Sequence, residues 1–441
     1  MINSRPLGHV DPAFNSRFLT ALVVGLILVG NTACAGPQED SSPAAEDGQG
    51  GDVQAFVGAT ILDGTRGAPL EDGVLLVRAG VVESIGPSGS ISIPEGASIV
   101  DLGGRWLLPG FINAHGHVTG ARAASQAQLE QYAHYGVTTV VSLGGEDPDA
   151  FVLRDEQGGP ALDRARIYVA GPVLNPGSEE EARSDVAMIA EMGADWVKTR
   201  VDDGLDTRTK ISPEVYGAMI AAADEHGVPV AIHIVDLEDA IGVVQAGADL
   251  VAHSVRDEPV NQTLIDAMLD ADVCVVPTLT RELSTFVYAE RPDFFDDPFF
   301  LAGAAPPDLE NFITPELEAQ SKTPAAEFYR NALPLAQANM KRLHDAGVGV
   351  AMGTDTGPLG RFQGYFEHLE MEMMVEGGLS PADVIHASTG GAASCTGLSG
   401  TVGTLEPGAR ADLVAVESSP LADIGNTRQI YGVWMSGNRI R

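Results

Sequence analysis

Leu107-Leu108-Pro109-Gly110-Phe111-Ile112-Asn113-Ala114-His115-Gly116-His117 is an apolar run that ends in two histidines one residue apart. Residues i and i+2 of a strand share a face, so His115 and His117 at such an end point the same way and can grip one ion together. Working outward, seven more apolar runs alternate with helical stretches, at 137–143, 166–171, 195–201, 228–234, 249–254, 273–279 and 348–355. Most follow a helix that ends in glycine, as in Tyr135-Gly136, Met192-Gly193, His226-Gly227, Ala246-Gly247 and Ala346-Gly347; glycine relieves the strain of a left-handed helix cap. With the opening run they make eight strand–helix units, the number that closes a (β/α)8 TIM barrel. A doubly wound open sheet would place a Gly-rich phosphate turn after its first strand. This chain places His-Gly-His there.

Either side of the barrel pattern the runs become short and β-like: 55–57, 73–77, 81–85 and 98–100 before it, 411–416 and 430–435 after it. Each set is too small to bury a core alone, so the two ends are expected to join into one β-sandwich. The predicted layout is a composite sandwich from 53–108 and 400–441, and a barrel from 109–399 with an insertion at about 281–330.

The chain has 441 residues, with 26 Lys+Arg against 61 Asp+Glu and a formal net charge of −35. Clustered cations are what grip phosphate backbones, so nucleic acid is excluded as the main partner, and so is an anionic membrane surface. A 44% hydrophobic, 20% charged composition supports a large core and a small-molecule enzyme, and leaves a homo-oligomer open. Three cysteines make no disulfide framework. Cys274, inside an apolar run, is expected to be a small buried hydrophobe, and Cys395 lies in a Gly/Ala/Ser-rich stretch.

Arg17 precedes thirteen mostly apolar residues, 18–30, and then small residues to Ala35. That is too short to span a bilayer and fits a secretory signal over 1–35. Asn31-Thr32-Ala33-Cys34 resembles the lipobox of bacterial lipoproteins, although Asn31 replaces the usual aliphatic residue; Ala33-Cys34-Ala35 also fits ordinary signal cleavage. A Pro/Ser/Glu/Asp/Gly-rich linker, 36–52, follows. The expectation is an exported protein of the bacterial cell envelope, a lipoprotein or a soluble periplasmic form. Its membrane contact would come only through lipid on Cys34.

Chemistry in this barrel type sits at the C-terminal strand ends. Those ends carry His115 and His117, Lys198, His233, His253 and Asp355. Singly, a strand-end histidine is most often a packing residue and Asp355 a turn cap; a lysine inside the core run Trp196-Val197-Lys198-Thr199 is harder to dismiss. Jointly, at five strand ends, they point to a metal site. The other histidines, 9, 134, 226, 344, 368 and 386, suit surface or packing roles. Arg281, just beyond the seventh run, is a candidate contact for a substrate carboxylate, with a surface salt bridge as the alternative. The insertion carries Phe286, Tyr288, Phe294, Phe295, Phe299, Phe300, Phe312 and Phe328, which read as a lid, a substrate wall, a subunit contact or packing for inserted helices.

Pro109 to His117, Gly193-Ala194-Asp195-Trp196-Val197-Lys198, Gly353-Thr354-Asp355 and Gly403-Thr404-Leu405-Glu406-Pro407-Gly408 together resemble motifs of the amidohydrolase superfamily, closest to its imidazolonepropionase-like and Xaa-Pro dipeptidase-like branch. The resemblance implies a binuclear hydrolase of an amide or related non-terminal C–N bond, in a dipeptide, N-acyl amino acid or cyclic amide. It implies two divalent metals, best suited to zinc, held by His115, His117, His233 and His253. Lys198 would bridge them as a carbon dioxide-derived carbamate, Asp355 would be ligand and proton carrier, and the ions would share a hydroxide. After His233 the chain reads Ile-Val-Asp-Leu-Glu, a departure from the His/Ala/Gly-rich continuation of the dipeptidase branch. The alternatives are a lactone, ester or phosphotriester hydrolase, a mononuclear deaminase, and an envelope protein that binds metal without turnover.

Overall fold

Strands from both ends of the chain share one sheet. The computed structural model describes residues 53–159 and 161–441; the predicted signal segment, Cys34 and the linker lie outside the described residues. The first five strands are β1 (Val53–Ile61), β2 (Leu70–Arg78), β3 (Val81–Pro87), β4 (Ser98–Asp101) and β5 (Trp106–Pro109). The barrel strands are β6 (Phe111–Gly116), β7 (Val137–Ser142), β8 (Arg166–Val169), β9 (Val197–Val201), β10 (Val230–Ile234), β11 (Leu250–Ala252) and β12 (Cys274–Val276). Last come β13 (Leu413–Val416), β14 (Ile430–Met435) and β15 (Asn438–Arg439).

The end strands run in the order β15-β14-β13-β5-β1-β2-β3, with β4 also on β1. The join is the antiparallel pairing of β13 with β5, Leu413 opposite Pro109 and Val416 opposite Trp106. Phe56, Leu75, Leu107, Leu413 and Trp434 fill the core of this unit, and Phe56 meets Trp434 edge to face at 5.2 Å, a geometry worth about 0.5–1.5 kcal/mol beyond burial. A buried ion pair fastens the sheet to the barrel. Arg166 Nε lies 2.5 Å from Asp412 Oδ2, and Ser436 N donates to Asp412 Oδ1 at 2.8 Å.

The opening run is therefore two strands, not one. Its residues 106–109 belong to the end sheet and 111–116 to the barrel, with Gly110 between them. The residues of β6, β7 and β10 are all buried, as parallel strands covered on both faces require. Regular ladders give β6-β7-β8 and β9-β10-β11-β12, and isolated parallel bridges close the ring. Leu174 pairs with Thr199, Val275 with Val350, and Gly116 with Thr356. The eighth strand is thus an irregular segment around 348–356, held by Ala351 N to Val275 O at 3.0 Å and Ala114 N to Met352 O at 2.9 Å. With the end sheet this is a (β/α)8 barrel plus a β-sandwich. Gly227 ends the helix Pro213–His226 at φ 67°, the left-handed cap read from the sequence.

Cys274 and Cys395 correct the sequence reading. They form a disulfide with Cα atoms 5.6 Å apart, joining β12 to the helix Gly390–Cys395 across 121 residues. A Cβ on Gly349 would lie 2.4 Å from Cys274 Sγ, so the eighth strand passes the bridge only because it has no side chain there. Cross-linking a long loop restricts the unfolded chain. Cys274→Ser is expected to cost about 2–4 kcal/mol of stability, read in denaturant unfolding as a lowered midpoint that reductant reproduces in the parent protein.

The aromatic insertion is a small core of its own. Tyr288, Phe295 and Phe300 are buried with Tyr135, Tyr365 and Phe366, with ring spacings such as 5.2 Å for Phe294 to Phe295 and 4.9 Å for Phe300 to Phe362. The rings pack the inserted helices rather than wall the barrel mouth, which receives only Arg281 and Tyr329 from this region.

Candidate active site

The barrel closes on the carbonyl of His115, which accepts from Thr354 N at 3.1 Å and from Asp355 N at 2.6 Å, while His117 N donates to Thr356 O at 2.8 Å. These bonds carry Asp355 to His115 in β6 and to His117 just beyond it. Asp355 Oδ1 lies 2.7 Å from His117 Nε2 and 3.5 Å from His115 Nε2, so one carboxylate oxygen serves both rings. His117 Nδ1 is fixed by Gly144 O at 2.7 Å, which leaves Nε2 to face the site. The support below is polar and buried. Glu367 Oε1 accepts from Asn113 Nδ2 at 2.7 Å and from the hydroxyls of Thr354 and Thr356 at 2.8 Å each.

Lys198, His233 and His253 complete the ring. The His253 ring lies 4.3 Å from that of His233 and 4.9 Å from that of His115. Its Nδ1 pairs with Thr278 Oγ1 at 2.5 Å, so Nε2 is the nitrogen left for the site. Three residues here hold left-handed backbone, His253 at φ 75°, Thr278 at 51° and Asp355 at 58°. Such strain in non-glycine residues gathers where function needs a side chain aimed against local preference. The regular β11 and β12 ladders stop before them for that reason.

Burial sets the protonation states. Desolvation first, and then the neighbouring cationic groups, hold His115 and His253 well below the ordinary imidazole range. Desolvation also takes His233 down to about 3, although Asp202 beside it pulls the other way. Burial would push the Asp355 carboxyl up, but Arg361, His117 and His115 more than offset this and hold it well below the usual range. Lys198, 2% exposed, is brought down by desolvation to about 7. The resulting donors include neutral imidazoles at His115, His233 and His253, an ionised carboxylate at Asp355 and an amine at Lys198 that can be neutral.

Two buried atoms in this set, His115 Nδ1 and Lys198 Nζ, have no hydrogen-bond partner. Leaving one such group unsatisfied costs about 1–3 kcal/mol. Nitrogen and oxygen donors converging in this way fit divalent cations. His115, His117 and Asp355 each offer a ligand atom within 4.8 Å of the others.

All six predicted ligands, and Arg281, line one cavity of about 430 Å³, a size suited to a small molecule. Arg281 is a partly buried ion-pair member at the cavity wall. Its Nη1 lies 2.8 Å from Glu282 Oε2, and its guanidinium stacks 4.2 Å from the Tyr329 ring centre. The sequence reading missed Arg361, which contacts the Asp355 carboxylate and reaches Ser284 Oγ at 3.0 Å. It also missed Asp202, whose Oδ2 lies 3.0 Å from His233 Nε2. Strand alternation beyond Lys198 would have flagged Arg200 and Asp202, whereas Arg361 comes from a loop with no periodic signal.

Glu370 positions the rim from behind. Its Oε1 accepts from Leu279 N and its Oε2 from Thr280 N and Thr280 Oγ1, each at 2.7 Å, beside the Thr278 that orients His253. Burial raises its carboxyl to about 8. A folded pKa above the unfolded value means the native state holds the extra proton, so this contribution to stability is present at low pH and is lost as pH rises through about 8. Glu370→Gln is expected to remove that part of the pH slope and to cost about 1–3 kcal/mol, because an amide has one oxygen for three donors. Denaturant unfolding at pH 5 and pH 9 checks both; identical slopes in parent and variant would refute the assignment.

Comparison with known proteins agrees with this geometry. The chain is similar to an imidazolonepropionase of Deinococcus deserti, 26% identical over 437 residues that span 87% of this chain and 95% of the relative. It is also similar to the ochratoxinase of Aspergillus niger, 26% identical over 289 residues, 62% of this chain and 52% of that one. Among solved structures it overlays a Bifidobacterium longum chain that carries a provisional prolidase name, with TM-score 0.73 and 25% identity over 88% of this chain and 94% of that one. The amidohydrolase family model matches residues 106–440, and the chain belongs to that family.

Proposed function

We propose that the protein is a metal-dependent hydrolase that cleaves an amide or related non-terminal C–N bond in a small molecule, a dipeptide, N-acyl amino acid or cyclic amide. The observation that carries this is a buried lysine amine with no hydrogen-bond partner among the described residues, gathered with four histidines, and one carboxylate oxygen shared by His117 and His115. His115, His117, His233, His253 and Asp355 would hold two divalent ions, zinc by preference for such donors. When bound, the ions supply Lewis acidity to the scissile carbonyl and acidify water.

The chain's own residues do the rest. A neutral Lys198 amine would add carbon dioxide, forming an N–C bond and releasing a proton, and as a carbamate it would help hold the ions. Asp355, kept ionised by Arg361, accepts the proton of the attacking water at Oδ1 and returns it to the leaving nitrogen. Arg281 and Tyr329 also line the cavity, the Arg281 guanidinium being held by Glu282 and the Tyr329 ring.

The enzyme works outside the cytoplasm, tethered by lipid on Cys34. The signal-like run at 18–30 supports this, and so does the Cys274–Cys395 bridge, a bond that persists in oxidising compartments. Intact mass of protein from native membranes tests it: a species starting at Gly36 would replace the lipoprotein by a periplasmic form, and one retaining residues 1–30 would refute export. The activity is tested by screening purified, metal-loaded protein against dipeptides, N-acyl amino acids, cyclic amides and lactones. Turnover of lactones alone would overturn C–N cleavage.

A further inference from the structure

The cavity is cationic in a strongly anionic protein. Four arginines line it, Arg200, Arg208, Arg281 and Arg361, in a chain of net charge −35. Three of them have an acidic neighbour. Arg361 contacts Asp355, Arg281 lies 2.8 Å from Glu282, and Arg208 Nη2 approaches Asp202 Oδ1 at 3.7 Å. Arg200 has no hydrogen bond and no ion pair among the described residues.

Its place in the fold is specific. In β9, Lys198 and Arg200 are two residues apart, so both face the barrel mouth, with Arg200 about 6.6 Å further out along the strand. The β9–β10 register sets Arg200 opposite His233. An exposed guanidinium one strand step above the reacting centre, with acidic residues in more than twofold excess elsewhere, is a donor kept for something outside the chain. Local positive charge is also what allows an anion to approach a protein of this overall sign.

We propose that Arg200, assisted by Arg208, binds a carboxylate remote from the scissile bond, so that the preferred substrates are C–N compounds with an anionic group on the portion lying over β9. This deepens the hydrolase reading above and rests on it. Arg281, already spanning Glu282 and Tyr329, is the poorer candidate for this group because its donors are in use.

The test compares two series of hydroxamic acids that differ only at the far end, a carboxylate in one and a primary carboxamide in the other. The monohydroxamates of succinate, glutarate and adipate, and the carboxamide of each, are titrated calorimetrically into metal-loaded parent, Arg200→Ala and Arg200→Lys. Both members of a pair offer the same hydroxamate to the metal centre, and only the acid has a carboxylate for Arg200. The parent is expected to bind the best acid about tenfold or more tighter than its carboxamide, the scale of one charge-assisted hydrogen bond. Arg200→Ala should bring that ratio near one, and Arg200→Lys should keep part of it. No preference for the acid in the parent, or an unchanged ratio in Arg200→Ala, would overturn the proposal. Because the readout is binding, a failed search for C–N turnover would count against the hydrolase reading and leave this result standing.

Discussion

Lys198→Ala is expected to lose bound metal and nearly all turnover. The amine is buried, has no hydrogen-bond partner and is brought to about 7 by desolvation, so it is available in the neutral form that captures carbon dioxide. Removing a group that merely supports a ligand costs about 10–100-fold in metal affinity or activity; removing the bridge itself should exceed that range. The fold should survive, because removing a buried amine that has no hydrogen-bond partner leaves no polar group newly unsatisfied. Small carboxylic acids such as acetate or propionate should restore part of the activity by occupying the space of the missing carbamate. Metal content per chain and kcat, each with and without added acid, are the measurements. Two metals per chain with near-parental turnover would remove Lys198 from the centre.

Asp355→Asn is expected to keep the fold and much of the metal while lowering turnover by about two orders of magnitude or more, the scale of a lost general acid–base group. The substitution is well matched to the backbone. Asp355 sits at φ 58°, a left-handed conformation that Asn tolerates better than most side chains. An Asn can still meet His117 but cannot carry a proton, so kcat should fall far more than thermal stability. Asp355→Ala makes a poorer probe, since it adds backbone strain and leaves Arg361 without its carboxylate partner. An Asn variant with parental kcat would refute the proton-carrier role.

Much of the fold and the gathering of His115, His117, Lys198, His233, His253 and Asp355 in one cavity was legible in the sequence because each depends on local order. Strand runs, glycine caps and the i, i+2 spacing of His115 and His117 are written within a few residues of each other. The barrel rule then converts five strand ends into one site without knowledge of any distance. Lys198 stood out for the same reason, a charge inside an apolar run.

The remainder depended on approaches between distant segments, for which the sequence carries no period. Cys274 and Cys395 are 121 residues apart and looked like unrelated small residues until the eighth strand and its following helix brought their Cα atoms to 5.6 Å. Arg361 comes from a loop, and its contact with Asp355 exists only because that residue turns left-handed at the rim. The inserted aromatics offered a lid, a wall or a core with equal chemistry, and packing against Tyr135 and Phe366 decided for a core. The sequence alone determined the barrel and which strand-end residues meet at its mouth, because hydrophobic periodicity and strand-end position are local properties. Only the tertiary structure decided the disulfide, the guanidinium on Asp355 and the unpaired Arg200 above Lys198, because which groups neutralise one another in a buried site is set by how the whole chain packs.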